Sequence, residues 1–403
     1  MTYPATVGQL SVWRDLEKIP RERHWEANLQ FVWDLPEGTT DEQVRAAIEG
    51  LAARHGSLRT RYVVDDQGLP RQWITDETGQ ICQGRDDRPE AQEREQRQVI
   101  DVTEHLPWRA LIVRNQLVVT IHHMAADGVA ALIMREDFLR LLAGEDLPPA
   151  RGPLELALEQ QSRDNPRLRN AERHWRRTLA AAPRAGEHER DSERLGAMLR
   201  TGIPMPQAHE LAAAAGASLS SVLLAVYHRA LCAVTGETVH LLYSMSNNRY
   251  DDEQAGIVTS LNQWVPLLLD AGTSNPGAPL ATVAEKVHWR HFSALKHGVY
   301  SPDAAAAARA EQPGADAGYH YNPMLTPPGF PSGDRPVPST VEVYPSPRAS
   351  GPGFYVIARG LTSLEFELRV SRPGWDGSRV RAFADHVLGE LHALSPAATA
   401  RSS

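Results

Sequence analysis

Apolar residues in the first half of the chain alternate between the two-residue spacing of β-strands and the three-to-four-residue spacing of α-helices. Val44, Ile48 and Leu51 share one helical face, and Thr40 ahead of them is a residue type that caps helices. The predicted helices are residues 41–54 and 129–142. The predicted strands are residues 28–33, 58–64, 71–74, 108–113 and 116–121, of which the last two form a hairpin.

The second half follows the same two spacings. Its predicted helices are residues 218–234, 281–295 and 378–394, and its predicted strands are residues 239–244, 264–269, 339–343, 353–358 and 364–370. Residues 148–204 are rich in arginine, glutamate and alanine and contain predicted helices at 154–161 and 166–179, without a clear strand. Because 403 residues are too many for one ordinary core, we expect two lobes, residues 1–180 and 181–403.

Composition and charge narrow the class of protein. The chain is 42% hydrophobic and 23% charged, and its net charge of −8 argues against a nucleic acid or an anionic membrane as partner. The N-terminus lacks the pattern of a signal peptide, and no apolar run reaches the roughly 20 residues that span a bilayer. Cys82 and Cys232 are far apart and lack a C-x-x-C pattern, so neither a disulfide framework nor a zinc site is expected. A cytoplasmic protein is expected.

The strongest candidate for chemistry is the seven-residue motif His122-His123-Met124-Ala125-Ala126-Asp127-Gly128. It lies between the predicted strand 116–121 and the predicted helix 129–142, and catalytic side chains are common in such loops on a rigid scaffold. Histidine is the side chain best suited to moving a proton near neutral pH. Asp127 can hold the loop in shape beside Gly128, since glycine lets the backbone turn tightly.

Together with the upstream stretch Arg54-His55-Gly56-Ser57-Leu58-Arg59-Thr60-Arg61-Tyr62, this motif resembles the condensation domains of non-ribosomal peptide synthetases. Three weaker similarities extend the resemblance over most of the chain. Gln9-x-x-x-Trp13 resembles the family's opening motif, with Ser11 in place of its arginine. Residues 256–267 are similar to the family's glycine-x-phenylalanine-valine-asparagine segment. His320-Tyr321-Asn322 resembles a late strand that carries an aromatic–asparagine pair.

The resemblance implies a mixed α/β fold of two chloramphenicol-acetyltransferase-like lobes in a V, with the active site in a tunnel between them. It implies acyl transfer in specialised metabolism, such as antibiotic biosynthesis, from a carrier-protein thioester to an amine or hydroxyl, which forms an amide or an ester. The carrier protein supplies the donor on its phosphopantetheine arm. The acceptor is a small amine or alcohol, or a second carrier-bound group. Asn262, Trp264 and Asn322 are then candidate tunnel residues.

Each member of the motif has a candidate role in that chemistry. His123 is the candidate general base, or it positions the acceptor by hydrogen bonding. The backbone N–H of Gly128, at a helix N-terminus, is a candidate donor to the oxyanion of the tetrahedral intermediate. For His122 and Asp127 a structural role is the better interpretation.

A buried carboxylate at Asp127 needs a cationic partner. The first candidate is Arg59 in the upstream stretch, and the second is Arg249. Both arginines are therefore candidates for structural support of the site.

The sequence also departs from the multidomain synthetases. It carries no adenylation motif and no carrier-protein serine motif, so we expect a free-standing enzyme whose partners arrive in trans, with no metal and no cofactor bound by the protein itself. Two alternatives stay open: an acyl-CoA-dependent acyltransferase of the same fold, and a catalytically silent module that docks a synthetase or recruits another enzyme. The stretch from Arg54 favours the carrier-bound donor, and the intact His123 and Asp127 argue against the silent module.

Overall fold

The computed structural model describes residues 1–76, 82–160, 165–185, 193–273, 275, 277–315, 318–326, 328, 338–346, 351–360 and 362–394. The helices are α1 (Val7–Leu16), α2 (Asp41–Arg54), α3 (Ala91–Arg97), α4 (Gly128–Leu142), α5 (Pro153–Gln160), α6 (Pro166–Ala180), α7 (Met205–Ala214), α8 (Leu219–Thr235), α9 (Asp252–Ala255), α10 (Leu280–Leu295), α11 (Pro302–Ala310) and α12 (Gly377–Ala393). Turns of 3-10 helix cover Arg21–Ala27 and Gly56–Arg59.

The strands are β1 (Tyr3–Pro4), β2 (Asn28–Asp34), β3 (Thr60–Val64), β4 (Pro70–Ile74), β5 (Cys82–Arg85), β6 (Trp108–Val113), β7 (Gln116–His122), β8 (Leu195–Pro204), β9 (Val239–Ser246), β10 (Gln263–Asp270), β11 (Tyr319–Leu325), β12 (Thr340–Pro345), β13 (Phe354–Gly360) and β14 (Ser363–Val370). The chain is thus a mixed α/β protein, as predicted.

The described chain forms two compact units that are not simple halves. Unit 1 comprises Met1–Arg169, Asn247–Gln263 and Val299–Asp303. Unit 2 comprises Asn170–Ser246, Trp264–Gly298 and Ala304–Ser403. The sequence places a lobe boundary at residues 180 and 181, whereas the first change of unit falls inside α6 and two later segments belong to unit 1.

Unit 1 contains a four-stranded sheet in the order β2-β7-β6-β5 and a three-stranded sheet in the order β1-β4-β3. The predicted hairpin is confirmed: β6 and β7 are antiparallel, with Trp108 opposite Ile121 and Val113 opposite Gln116. Helices α2 and α4 share a hydrophobic core with the four-stranded sheet. Strand β7 is buried from Leu117 onward, so the chain enters the seven-residue motif from the interior of this core.

Unit 2 contains a seven-stranded sheet in the order β10-β9-β11-β13-β14-β8-β12. Helix α8, capped by the Ser218 side chain, is apolar on nearly all faces and buried along most of its length. A helix that is hydrophobic all round belongs in the centre of a core. Helices α10 and α12 pack against α8, and all three contribute side chains to the unit 2 core.

Strand β8 contradicts the expectation that residues 148–204 hold no strand. It pairs antiparallel with both β14 and β12, inside the seven-stranded sheet. Its burial alternates along its second half, but Gly196, Ala197, Gly202 and Pro204 supply little side-chain signal. Residues of these types are poor strand formers on their own, and the neighbouring strands hold β8 in place.

Among the described residues, no individual helix combines the length and apolar character of a membrane span. Helices α7 and α8 taken together have the length and apolar composition of a membrane span, but they are bent by 83° relative to each other.

Candidate active site

The backbone of the motif is anchored on both sides of its two histidines. The His122 N–H donates to the carbonyl of Pro107 (2.7 Å), and the His123 N–H donates to the carbonyl of Ala27 (2.9 Å). Helix α4 begins at Gly128, whose N–H belongs to the first turn, where helical N–H groups lack partners within the helix. The half-buried imidazole of His123 and this helix N-terminus therefore lie at the two ends of one short, fixed loop.

His122 is a buried, neutral member of the loop. Its Nδ1 accepts a hydrogen bond from the Met124 N–H (3.2 Å), so the ring proton resides on Nε2. Burial, followed by the nearby His123, lowers the pKa of His122 to about 3. A neutral His122 that accepts a hydrogen bond from the backbone of Met124, two residues away, has a structural role in the loop.

Asp127 collects hydrogen bonds from both the motif and a distant segment. Its Oδ1 caps α4 by accepting from the Ala130 N–H (2.9 Å). Its Oδ2 accepts from Arg249 Nη1 (2.9 Å), the Leu261 N–H (2.9 Å) and the Asn262 N–H (3.2 Å). Burial acts to raise the pKa of this carboxyl, but the charge and hydrogen bonds of Arg249 outweigh it and hold the pKa below its usual value. Asp127 is therefore ionised.

Arg249 binds both Asp127 and the backbone of residues 257–259. Its side chain is only 3% exposed. While Nη1 binds Asp127, Nη2 donates to the carbonyls of Ile257 (3.1 Å) and Thr259 (3.2 Å). Asp127 thus accepts hydrogen bonds from backbone N–H groups of residues 257–262, and Arg249 donates to backbone carbonyls of the same residues. These bonds hold residues 257–262 against the seven-residue motif.

The first candidate for the Asp127 partner, Arg59, is wrong. Arg59 Nε donates to the carbonyl of Ala52 (2.9 Å) and its Nη1 donates to the carbonyl of Thr75 (2.8 Å). Ala52 lies in the last turn of α2, where carbonyls lack helical partners and cations are favourable. Arg59 therefore caps α2, and the second candidate, Arg249, is the observed partner of Asp127.

The upstream stretch supports the motif through α4 and through the loop. Arg54 Nε and His55 Nε2 both contact Asp137 Oδ2 on α4, at 2.7 Å and 2.8 Å. The Ser57 hydroxyl donates to the carbonyl of Ala125 inside the motif (2.7 Å). Sequence reasoning missed Asp137, because Glu136 lies beside it on α4 and nothing in the sequence shows which of the two carboxylates faces inward.

Helix α1 supports the same segment from a third side. The amide Nε2 of Gln9 lies within hydrogen-bond distance of Tyr62 Oη (3.0 Å), Gln72 Oε1 (3.1 Å) and Thr259 Oγ1 (3.3 Å). All four side chains are buried. The glutamine of the opening motif therefore joins α1, strands β3 and β4, and segment 247–263 in one polar network.

Two further contacts of α1 come from Gly8, just before the opening motif, and from Ser11 within it. A Cβ on Gly8 would lie 2.2 Å from the carbonyl oxygen of Ser260, so only glycine lets α1 approach the segment this closely. Ser11 Oγ accepts from Gln263 Nε2 (2.8 Å), which shows how serine is used where the family carries arginine.

Ser260 is a site residue that sequence reasoning missed. Its Oγ lies 3.4 Å from His123 Nδ1 and 3.2 Å from Asn262 Oδ1. If the hydroxyl donates to the amide carbonyl of Asn262, its oxygen is left to accept from a protonated Nδ1. This tautomer leaves the lone pair of His123 on Nε2, the nitrogen that faces away from Ser260. The signal in the sequence was only its place in the 256–267 segment.

The other two candidate tunnel residues belong to unit 2 and share one aromatic cluster there. Trp264 meets His320 and Tyr355 edge to face, with ring centroids 4.8 Å and 5.6 Å apart. Asn322 Nδ2 donates to Tyr355 Oη (2.8 Å). No residue of the candidate active site belongs to a metal-ligand cluster within the described part of the chain.

Comparison with known proteins identifies relatives of this arrangement. A family model described as Condensation domain matches residues 1–265. Surfactin synthase subunit 1 of Bacillus subtilis is 27% identical over 286 residues, which cover 66% of this chain and 8% of the synthase. The chain thus spans less than a tenth of the length of this relative.

Solved structures resemble the chain over nearly its whole length. The condensation domain that mediates chain release from the enacyloxin polyketide synthase aligns with a TM-score of 0.78 at 19% identity, covering 98% of this chain and 83% of that one. The starter condensation domain of rhizomide synthetase, in complex with C8-CoA and Leu-SNAC, aligns with a TM-score of 0.72 at 15% identity, covering 97% and 94%. The predicted fold class is confirmed: the chain has the chloramphenicol-acetyltransferase-like fold of these domains.

Removing Arg249 should destabilise the protein strongly. Arg249→Ala leaves the buried Asp127 carboxylate without its cation, and breaking such a pair costs about 3–5 kcal/mol. Lys18→Ala is the control, because the Lys18–Asp15 pair is exposed on both sides and such pairs contribute about 0–1 kcal/mol. Urea denaturation measures both free energies of unfolding. Equal losses in the two variants would show that the buried pair does not hold the site.

Proposed function

The chain belongs to the condensation domain family, and from this membership we propose that it transfers an acyl or aminoacyl group from a carrier-protein thioester to an amine or hydroxyl acceptor, which forms an amide or an ester. The observation that carries the proposal is the state of His123. Its ring is half-buried in an anchored loop, and its Nδ1 lies within hydrogen-bond distance of Ser260. With the Ser260 hydroxyl donating to Asn262 and Nδ1 protonated toward Ser260, Nε2 is the nitrogen that acts as the base in this proposal.

In the proposed reaction His123 Nε2 accepts the proton of the acceptor N–H or O–H as the acceptor attacks the thioester carbonyl. The new C–N or C–O bond gives a tetrahedral oxyanion, to which the Gly128 N–H donates. Collapse breaks the C–S bond, and the leaving thiolate of the phosphopantetheine arm takes the proton back from His123. A positioned base contributes about 10²–10⁴-fold in rate, and an oxyanion donor contributes about 10²–10³-fold.

Asp127 and His122 support this reaction without taking part in it. Both carboxylate oxygens of Asp127 already accept hydrogen bonds from residues of unit 1. His122 is held neutral by burial, which lowers its pKa to about 3. We assign both residues, with Arg249, to holding the loop in the geometry that His123 needs.

We propose substrate contacts at Asn262, Trp264 and Asn322. Asn262 is a candidate because its backbone binds Asp127 while its side chain accepts from Ser260. Trp264 and Asn322 are candidates because they form one polar-edged aromatic cluster with Tyr355. A cluster that combines aromatic rings with an amide and a phenol hydroxyl suits a substrate that is mostly apolar and carries one polar group.

An acyl-CoA donor is the second candidate function. The rhizomide starter domain, a structural relative, was solved in complex with C8-CoA and Leu-SNAC. CoA and carrier proteins present the same phosphopantetheine thioester, so the chemistry at His123 does not separate them. The Arg54–Tyr62 stretch, which resembles one in the synthetase family, favours the carrier protein.

His123→Ala should lower acyl transfer by about 10²–10⁴-fold, because the acceptor loses its base. The assay loads a carrier protein with candidate acyl groups, adds amine and alcohol acceptors, and quantifies product by mass spectrometry. His105→Ala is the matched control, since His105 is exposed and outside the motif. Efficient product from acyl-CoA alone would move the proposal to the second candidate. No product from either donor, with tight binding of a synthetase, would favour the silent module.

Ser260→Ala removes the hydroxyl beside His123 Nδ1, so the ring is no longer held in one tautomer. Acyl transfer should slow by about 2–10-fold, because one hydrogen bond contributes roughly 0.5–1.5 kcal/mol. ¹⁵N NMR of the imidazoles reads the tautomer without any substrate. We expect His123 protonated on Nδ1 in the parent protein and a mixture in the variant. His122 is the internal control, protonated on Nε2 in both proteins. An unchanged His123 spectrum in the variant would remove Ser260 from the mechanism.

A further inference from the structure

Three side chains with metal-ligand chemistry converge in unit 2, outside the candidate active site. His228 and Cys232 lie one turn apart on α8, and His240 lies at the start of β9. Their ligand atoms all lie within 4.8 Å of one another. His228 Nε2 is 3.2 Å from His240 Nδ1, and Cys232 Sγ is 3.8 Å from His228 Nε2. Both histidines are buried, and Cys232 is partly exposed.

The outer contacts of His240 locate its ring proton. The Thr235 hydroxyl donates to the carbonyl of Leu231 (2.8 Å), so toward His240 Nε2, 3.2 Å away, its oxygen can only accept. The carboxylate of Glu237 lies 3.5 Å from the same nitrogen and is also an acceptor. Nε2 of His240 therefore carries the proton, and Nδ1 presents its lone pair to His228.

The outer contact of His228 leads to the same conclusion. His228 hydrogen-bonds to the backbone carbonyl of Leu269, which can only accept. Since Nε2 of this ring lies next to His240, Nδ1 is the nitrogen that donates to Leu269. In the neutral ring Nε2 is then the unprotonated nitrogen. Two imidazole lone pairs thus point into one small space beside a thiol.

The spacing of the three atoms fits a tetrahedral zinc ion. With Zn–N bonds of about 2.0–2.1 Å and a Zn–S bond of about 2.3 Å, a tetrahedron has edges of about 3.4 Å between nitrogens and about 3.6 Å between nitrogen and sulfur. The observed distances are 3.2 Å between the two nitrogens and 3.8 Å between His228 Nε2 and the sulfur, and the third pair lies within 4.8 Å. Because the sulfur is also 4.0 Å from His228 Nδ1, the Cys232 side chain has to turn toward Nε2 to complete the tetrahedron. Metal-binding histidines also typically donate their outer N–H to a carbonyl, hydroxyl or carboxylate, as both rings do here.

We propose that His228 Nε2, Cys232 Sγ and His240 Nδ1 bind one Zn²⁺ ion, with water in the fourth position on the partly exposed side of Cys232. The ion ties α8 to β9 in the core of unit 2. Binding releases the proton of the Cys232 thiol to solvent, because the ligand is the thiolate. The sequence predicts no zinc site, because Cys82 and Cys232 lack C-x-x-C spacing. The relevant signal is a histidine and a cysteine four residues apart on one helix.

The test is metal binding by the full chain. After dialysis against excess Zn²⁺ and then buffer, elemental analysis should give one equivalent of zinc. Titration with Co²⁺ should give the near-ultraviolet thiolate-to-cobalt band. Cys232→Ser should abolish this band and weaken zinc binding more than about 100-fold, because loss of an outer partner alone costs about 10–100-fold. Cys82→Ser is the matched control, a partly exposed cysteine in unit 1 that should leave both readouts unchanged.

The wild-type measurements decide the question even if Cys232→Ser fails to fold. Zinc should raise the melting temperature of the parent protein, and chelation should reverse the rise. Absence of stoichiometric zinc together with absence of the cobalt band in the parent protein would overturn the proposal. So would zinc binding of equal affinity in folded Cys232→Ser, because the ion would then lie elsewhere.

Discussion

A carboxylate that leaves water must have its charge and its lone pairs matched by the protein. Asp127 meets this requirement with the helix N-terminus of α4, two backbone N–H groups of residues 261 and 262, and the guanidinium of Arg249. These donors come from parts of the chain more than 120 residues apart in sequence. Once they are satisfied, the loop from His122 to Gly128 and the run 257–262 have one relative position, and the Ser260 hydroxyl lies beside the His123 ring.

The remaining sequence motifs act through the same assembly. Arg54 and His55 hold α4 by Asp137, and Ser57 holds the loop by Ala125. On the opposite side, α1 approaches residues 257–262 closely because Gly8 has no side chain. Motifs that are scattered along the sequence therefore serve one purpose, the rigid placement of a single imidazole. In the proposed reaction this placement matters because misplacement of a catalytic group by about 1 Å can cost about a hundredfold in rate.

The sequence predicts most of the fold because local patterns decide it. The Thr40 cap and the spacing of Val44, Ile48 and Leu51 specify α2. Two nearly continuous apolar runs separated by Arg114-Asn115 specify the β6–β7 hairpin. Strand β8 is not predicted, because its glycine, alanine and proline residues give no pattern of strand spacing.

The candidate site is predictable only in part, since its connections are long-range. The motif residues are evident from the sequence, but the choice of Arg249 over Arg59 depends on where side chains point in three dimensions. Ser260 and Asp137 are likewise meaningful only next to the residues that they contact.

A double-mutant cycle between Asp127 and Arg249 tests most directly whether this pair holds the site together. The free energy of unfolding would be measured for Asp127→Ala, Arg249→Ala and the double variant. If the two charges compensate each other, each single variant leaves a buried charge unmatched, and the double variant loses less than the sum by about 1–3 kcal/mol. Losses that add to within about 0.5 kcal/mol would show independent residues and contradict the account.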